Sequence, residues 1–171
     1  MSEPKPTFLE VWPLAADATR IWLLSGSGPW YSSLPVMSDE DENANARDTL
    51  WANGALDTPQ LLHSTSWRPN DNKLLLTYVA VIDVRGLVLD AWPDAKPVSL
   101  ELAEAVGPTL PYHPADAPTP RDIDVLLHSI RHLRFLLDND TGCAAALNKH
   151  WRAHLSRLSP ALAGMYRTSE S

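Results

Sequence analysis

A single cysteine, Cys143, is all the sulfhydryl chemistry the sequence holds. No disulfide forms within the chain, so a small cross-linked scaffold is excluded. No apolar run approaches the roughly 18 residues needed to cross a bilayer. The opening Met1-Ser2-Glu3-Pro4-Lys5-Pro6 has neither the basic nor the apolar region of a secretory leader, and the expected location is cytoplasmic. Positive charge is in the minority, with 14 Lys and Arg against 21 Asp and Glu and a formal net charge of -7. Phosphate-backbone binding relies on clustered cations, so general nucleic-acid affinity is not expected. Arg131, Arg134, Lys149, Arg152 and Arg157 gather in the C-terminal third and read as solvated helix faces. Phosphate-cradling G-x4-G-K-[ST] and acylating G-x-S-x-G motifs are also missing, and Gly26-Ser27-Gly28 is too short for a dinucleotide fingerprint.

What is present fits one globular unit. The length is 171 residues and the apolar fraction 44%, enough for a hydrophobic core. Residues 7 to 13 and 19 to 25 are rich in β-formers and predict two strands around a turn at Ala15-Ala16-Asp17-Ala18. Residues 26 to 39 read as loop. Acidic residues from Asp39 to Glu42 then precede a helix-compatible stretch that Gly54 is placed to close. Residues 60 to 68 and 74 to 84 predict two further strands around a Pro69-Asn70-Asp71-Asn72 turn. The second is almost wholly apolar, as a strand covered on both faces should be. Residues 86 to 92 suggest a short strand. Residues 93 to 120 read as a proline-rich crossing segment with a short helix near 99 to 106.

The last third reads as helix. Thr119 and Pro120 suit an N-cap and first helical position, and Leu126, Ile130, Leu133 and Leu137 draw one apolar stripe. Asn139-Asp140-Thr141-Gly142 breaks the pattern. A second helix over 143 to 157 would place Leu147, Trp151, Leu155 and Leu158 on one side, giving a helical hairpin. Cys143 reads as a small packed side chain, with a thiol activated at a helix N-terminus as the functional alternative.

The run Trp30-Tyr31-Ser32-Ser33-Leu34-Pro35, then Glu40 and Glu42, then Ala46-Arg47-Asp48-Thr49-Leu50-Trp51-Ala52-Asn53-Gly54-Ala55-Leu56, resembles the Nudix hydrolase pattern, W-x-L-P-G-G followed by G-x5-E-x7-R-E-U-x-E-E-x-G-U. The resemblance covers about residues 7 to 92. It implies an α/β (α+β) fold, a mixed β-sheet sandwiched by helices. The Nudix-like region is 1–118 and the C-terminal helical hairpin 119–171, packed on the same domain. The departures are specific. Val36-Met37 replaces the Gly-Gly, and the loop before Leu50 is three residues short. Asp48-Thr49 and Ala52-Asn53 stand where the family carries R-E and E-E. Those glutamates hold a divalent cation against a diphosphate, and hard cations need carboxylate oxygens.

The expectation is therefore a non-catalytic binding module with no cofactor, for a nucleotide-like ligand or a protein partner and without a membrane partner. Trp30, Trp51, His63, Trp67 and Arg68 would line its cleft. Trp67 would stack and Arg68 meet an anionic group, with His63, Thr65 and Trp67 on one face of their strand and Ser64, Ser66 and Arg68 on the other. Seven tryptophans favour binding, while Trp12 and Trp22 read as core. One alternative is an Mg²⁺-dependent nucleoside diphosphate pyrophosphohydrolase using Glu40, Glu42 and Asp48. Another is a homodimer assembled through the C-terminal helices. The spacings His128-x3-His132 and His150-x3-His154 are those of bidentate metal sites, and on an antiparallel hairpin the four imidazoles would converge.

Overall fold

The structure, a computed structural model, describes residues 3–37, 41–55, 58–102, 121–162 and 164–165. Among the described residues seven strands make one mixed sheet. They are β1 (Thr7–Ala16), β2 (Ile21–Leu23), β3 (Trp30–Tyr31), β4 (Leu61–Asn70), β5 (Lys73–Val81), β6 (Lys96–Pro97) and β7 (Gly164–Met165). The order is β6-β2-β1-β5-β4-β7, with β3 also paired to β1. The central pair β1–β5 is parallel, while β1–β2, β2–β6 and β4–β5 are antiparallel. Among the described residues five helices accompany the sheet: α1 (Glu42–Ala52), α2 (Val88–Ala91), α3 (Asp122–Asn139), α4 (Thr141–Ala146) and α5 (Lys149–Leu155). No helix is long and apolar enough to cross a membrane among the described residues.

Alternation along the central strands divides the core in two. Trp12, Leu14, Val79 and Val81 pack with Leu126, Ile130 and Leu133 of α3 and with Trp151 and Leu155 of α5. Leu9, Val11, Tyr78 and Ala80 pack with Ala46 and Leu50 of α1 and with Val88. A strand buried on both faces loses its polar alternation, which is why residues 74 to 81 read as an apolar run broken only by Thr77.

α1 begins at Asp41, whose carboxylate accepts from the Asn43 N–H. It ends as expected at Gly54, φ +95°. The Ala55 N–H reaches Leu50 O and the Gly54 N–H reaches Trp51 O, the paired bonds of a Schellman end. Gly26 has φ +82°, and a Cβ there would sit 2.2 Å from Asp94 O, so this turn closes only around glycine.

Several boundaries differ from expectation. β1 continues to Ala16 and shifts the turn to residues 17 to 20. β4 runs through Pro69 and Asn70, and Asp71 (φ +53°) and Asn72 make the turn. Residues 88 to 91 are a helical turn where a strand is predicted. The Trp92 N–H reaches Val88 O at 2.8 Å, an i→i+4 bond that a strand cannot make, and both side chains pack on the α1 side of the core. The predicted second C-terminal helix is two helices, because Asn148 caps α5 through the N–H groups of His150 and Trp151. α3 starts at Asp122, and its cap is completed by Asp124, which accepts from the Arg121 N–H at 3.2 Å. Thr119 and Pro120, like residues 103–118, lie outside the described residues.

α4 and α5 return alongside α3. Arg134 donates to Leu155 O, and Arg131 to Ser159 O. Arg152 donates to Leu147 O and Ala144 O at the end of α4. The C-terminal arginines thus serve in part as helix-end donors, placing cations where carbonyls are left over.

Candidate functional site

The larger described cavity, about 610 Å³, opens just past the C-terminal end of β5. That is within the range of small-molecule sites, roughly 300–1,000 Å³. Gly54, Gln60, Asp83, Arg85 and Trp92 are among its lining residues. Gln60 Oε1 accepts the Asp83 N–H at 2.7 Å, which fixes the amide and leaves its NH₂ able to donate. Trp92 is half-buried and lies against Trp30, ring centroids 5.8 Å apart and planes inclined by 39°. The contact holds the indole in one orientation. Arg85 is exposed and forms no ion pair among the described residues. A smaller groove of about 210 Å³ runs along α1, lined by Arg47, Asp48, Leu50 and Trp51, and shares Thr58 with the first.

The five residues expected to line one cleft are divided. Trp51 is 66% exposed on the smaller groove. Trp30 supports Trp92 from behind. His63 lies on the opposite face of the sheet, against His132 of α3. Trp67 and Arg68 point to opposite faces, and a bulge ahead of them sets which face each takes. The β4–β5 register slips between Ser64 and Ser66, so Thr65 and Ser66 do not alternate across the sheet. Thr65 keeps to the α3 side with Ser129 (Oγ–Oγ 2.8 Å), and Ser66 and Arg68 pair with Thr77 and Leu75 on that same side. Trp67 takes the other face. Arg68 is closed to ligands: its guanidinium is bidentate on Glu10, with Nη2 to Oε2 at 2.9 Å.

The two described carboxylates expected for a metal-dependent hydrolase, Glu42 and Asp48, do not converge. Glu40 lies outside the described residues. Glu42 and Asp48 are six residues apart on α1, about 9 Å along the axis and about 120° around it. Glu42 accepts a hydrogen bond from Tyr78, whose hydroxyl is pushed up to about 12 mainly by burial. Asp48 faces the groove. Among the described residues no three His, Cys, Asp or Glu side chains group as a metal shell.

The two H-x3-H pairs are likewise separated. His128 and His132 are buried, and His154 Nε2 meets Asp17 O at 2.8 Å beside the β1–β2 turn. His150 is half-buried on the first turn of α5. Cys143 packs at the core edge, its thiol raised by burial and by the adjacent Asp140, which opposes thiolate chemistry. Trp12 is core as expected, whereas Trp22 is half-buried and donates to Asp17 Oδ2 at 2.7 Å.

The residues that sequence reasoning missed are Gln60, Asp83, Arg85 and Trp92. A strand end followed by Gly86 was the signal available for them, and it carries no residue pattern. No family model, curated protein or solved structure matches the chain.

Proposed function

We propose that this chain is a Nudix-like module that binds a nucleotide-like ligand without hydrolysing it, in the cavity past β5. The carrying observation is the lining itself. A buttressed indole, Trp92, an unpaired guanidinium, Arg85, and an oriented amide, Gln60, converge on one cavity. These groups suit a planar ring, an anionic group and a hydrogen-bonding edge, respectively. The position agrees with this reading, since ligands of sheets with parallel strands favour the carboxyl ends of those strands. The Nudix likeness is supported by the order of strand, Trp-bearing loop, α1 and the β4–β5 hairpin, and by helices on both faces of the sheet. The absence of a carboxylate pair on one face of α1 favours binding over hydrolysis.

Isothermal titration with nucleoside mono- and diphosphates and dinucleotides, with and without Mg²⁺, tests the reading. One member should bind at one site per chain, Trp92→Ala and Arg85→Ala should each weaken it at least tenfold, and no product should accumulate. Absence of heat across the panel overturns it. A protein partner is the second reading, favoured by the exposed Trp51 of the smaller groove and by Leu87 and Leu89, exposed by 71% and 49% in the segment between Arg85 and Trp92. The C-terminal hairpin offers less. Most of its apolar residues are buried against the sheet, and Ile123 and Leu162 are the large exposed ones on described residues of that third.

A further inference from the structure

On the sheet face away from the cavity, His63 of β4 and His132 of α3 stand with ring centroids 5.6 Å apart and planes inclined by 48°. The Nδ1 of each ring meets a backbone carbonyl, Ser64 O at 2.7 Å and Ala161 O at 2.8 Å. A carbonyl only accepts, so in both neutral rings Nδ1 carries the proton and Nε2 the lone pair. Carbonyls placed in this way orient imidazoles for metal ligation. His132 is 2% exposed, and its Nε2 is buried without a hydrogen-bond partner. Phe135 stacks on the same ring at 5.6 Å and 15°, which fixes its plane.

The spacing matches ligation of one ion. Two imidazoles on a tetrahedral metal, each bound at about 2.0–2.1 Å, place their ring centroids roughly 5 Å apart. We propose that His63 and His132 form a two-imidazole site for a borderline transition-metal ion of the Zn²⁺ or Cu²⁺ kind. Nitrogen donors select such ions over Mg²⁺ and Ca²⁺. Among the described residues no third His, Cys, Asp or Glu completes a shell, so solvent fills the remaining positions and the ion is exchangeable. His63 is half-buried, which leaves an approach to the pair from solvent. The pair crosses from sheet to helix and differs from both H-x3-H pairs. His128 lies instead beside the Thr65 backbone of β4.

The test is titration of the full chain with Zn²⁺ and, separately, Cu²⁺, followed by calorimetry and by electron paramagnetic resonance of the Cu²⁺ form. One ion per chain is expected, with nitrogen couplings from two imidazoles. His63→Ala should weaken binding at least tenfold with an unchanged circular dichroism spectrum, and His150→Ala should leave binding as in the wild type. Wild-type affinity in His63→Ala, or no saturable binding, overturns the proposal. His63 is only half-buried on its strand, so this variant decides the matter even if His132→Ala fails to fold. Nucleotide binding past β5 should be untouched by His63→Ala, which separates the fate of this site from that of the cavity.

Discussion

Arg68 and Glu10 form a bidentate ion pair closed to solvent, with side-chain exposures of 4% and 0%. They sit on strands that are not neighbours. Thr77 of the intervening β5 donates to Glu10 and accepts from Arg68 at 3.2 Å, so the network laces β1, β5 and β4 together. Arg68 also lies 3.7 Å from Asp122 at the start of α3. Buried charges are costly to desolvate, and only paired and hydrogen-bonded geometry offsets that cost.

Removing one partner should therefore be worse than removing both. Glu10→Ala or Arg68→Ala is expected to lower stability by roughly 3–5 kcal/mol, because each leaves an uncompensated buried charge. The pair Glu10→Leu with Arg68→Met should cost much less. Urea denaturation of the three variants checks this, and single-variant losses below about 1 kcal/mol would contradict the buried-pair account.

Acid should loosen the packing of α3 on the sheet. Burial, with the nearby His132 and Arg131 charges, lowers His128 to about 4, and burial lowers His132 as well. The unfolded chain takes up these protons near 6.5, the folded chain only at lower pH. Stability is then full above about pH 6.5 and falls as the pH drops toward 4, on the order of 3 kcal/mol for His128. Denaturation midpoints at pH 7.5 and 5 should differ in that direction, and His128→Leu should flatten the slope.

Asn148 separates two helices by capping the second. Asn148→Ala should cost about 1 kcal/mol, and Asn148→Ser much less, because serine retains an acceptor for the α5 N–H groups. Thermal melting of both variants reads the difference; equal losses would remove the capping explanation.

Gly26→Ala should be disruptive out of proportion to its size. It combines a positive φ with a Cβ placed 2.2 Å from a backbone oxygen of Asp94. A loss greater than about 1 kcal/mol is expected. Because Asp94 is two residues from Trp92, tryptophan fluorescence should report displacement of the cavity wall; an unaltered spectrum and melting point would argue against the close approach.

Sequence alone determined the features that are local. The Asp41 cap and Gly54 stop of α1, the β4–β5 hairpin, the apolar stripe of α3 and the buried side of Leu147, Trp151, Leu155 and Leu158 all follow from chemistry within a few residues. Tertiary structure decided what depends on register and on distant partners. A bulge at Thr65 turned Arg68 inward, and a carboxylate 58 positions away in sequence occupied it, so the residue read as an anion ligand became part of the core. The same slip set Trp67 and His63 on opposite faces and dissolved the expected cleft. Gln60, Arg85 and Trp92 meet only because β5 ends beside the end of α1. Side-chain period is written in the chain, but the point at which a strand skips a residue, and what lies across the sheet from it, is set by packing.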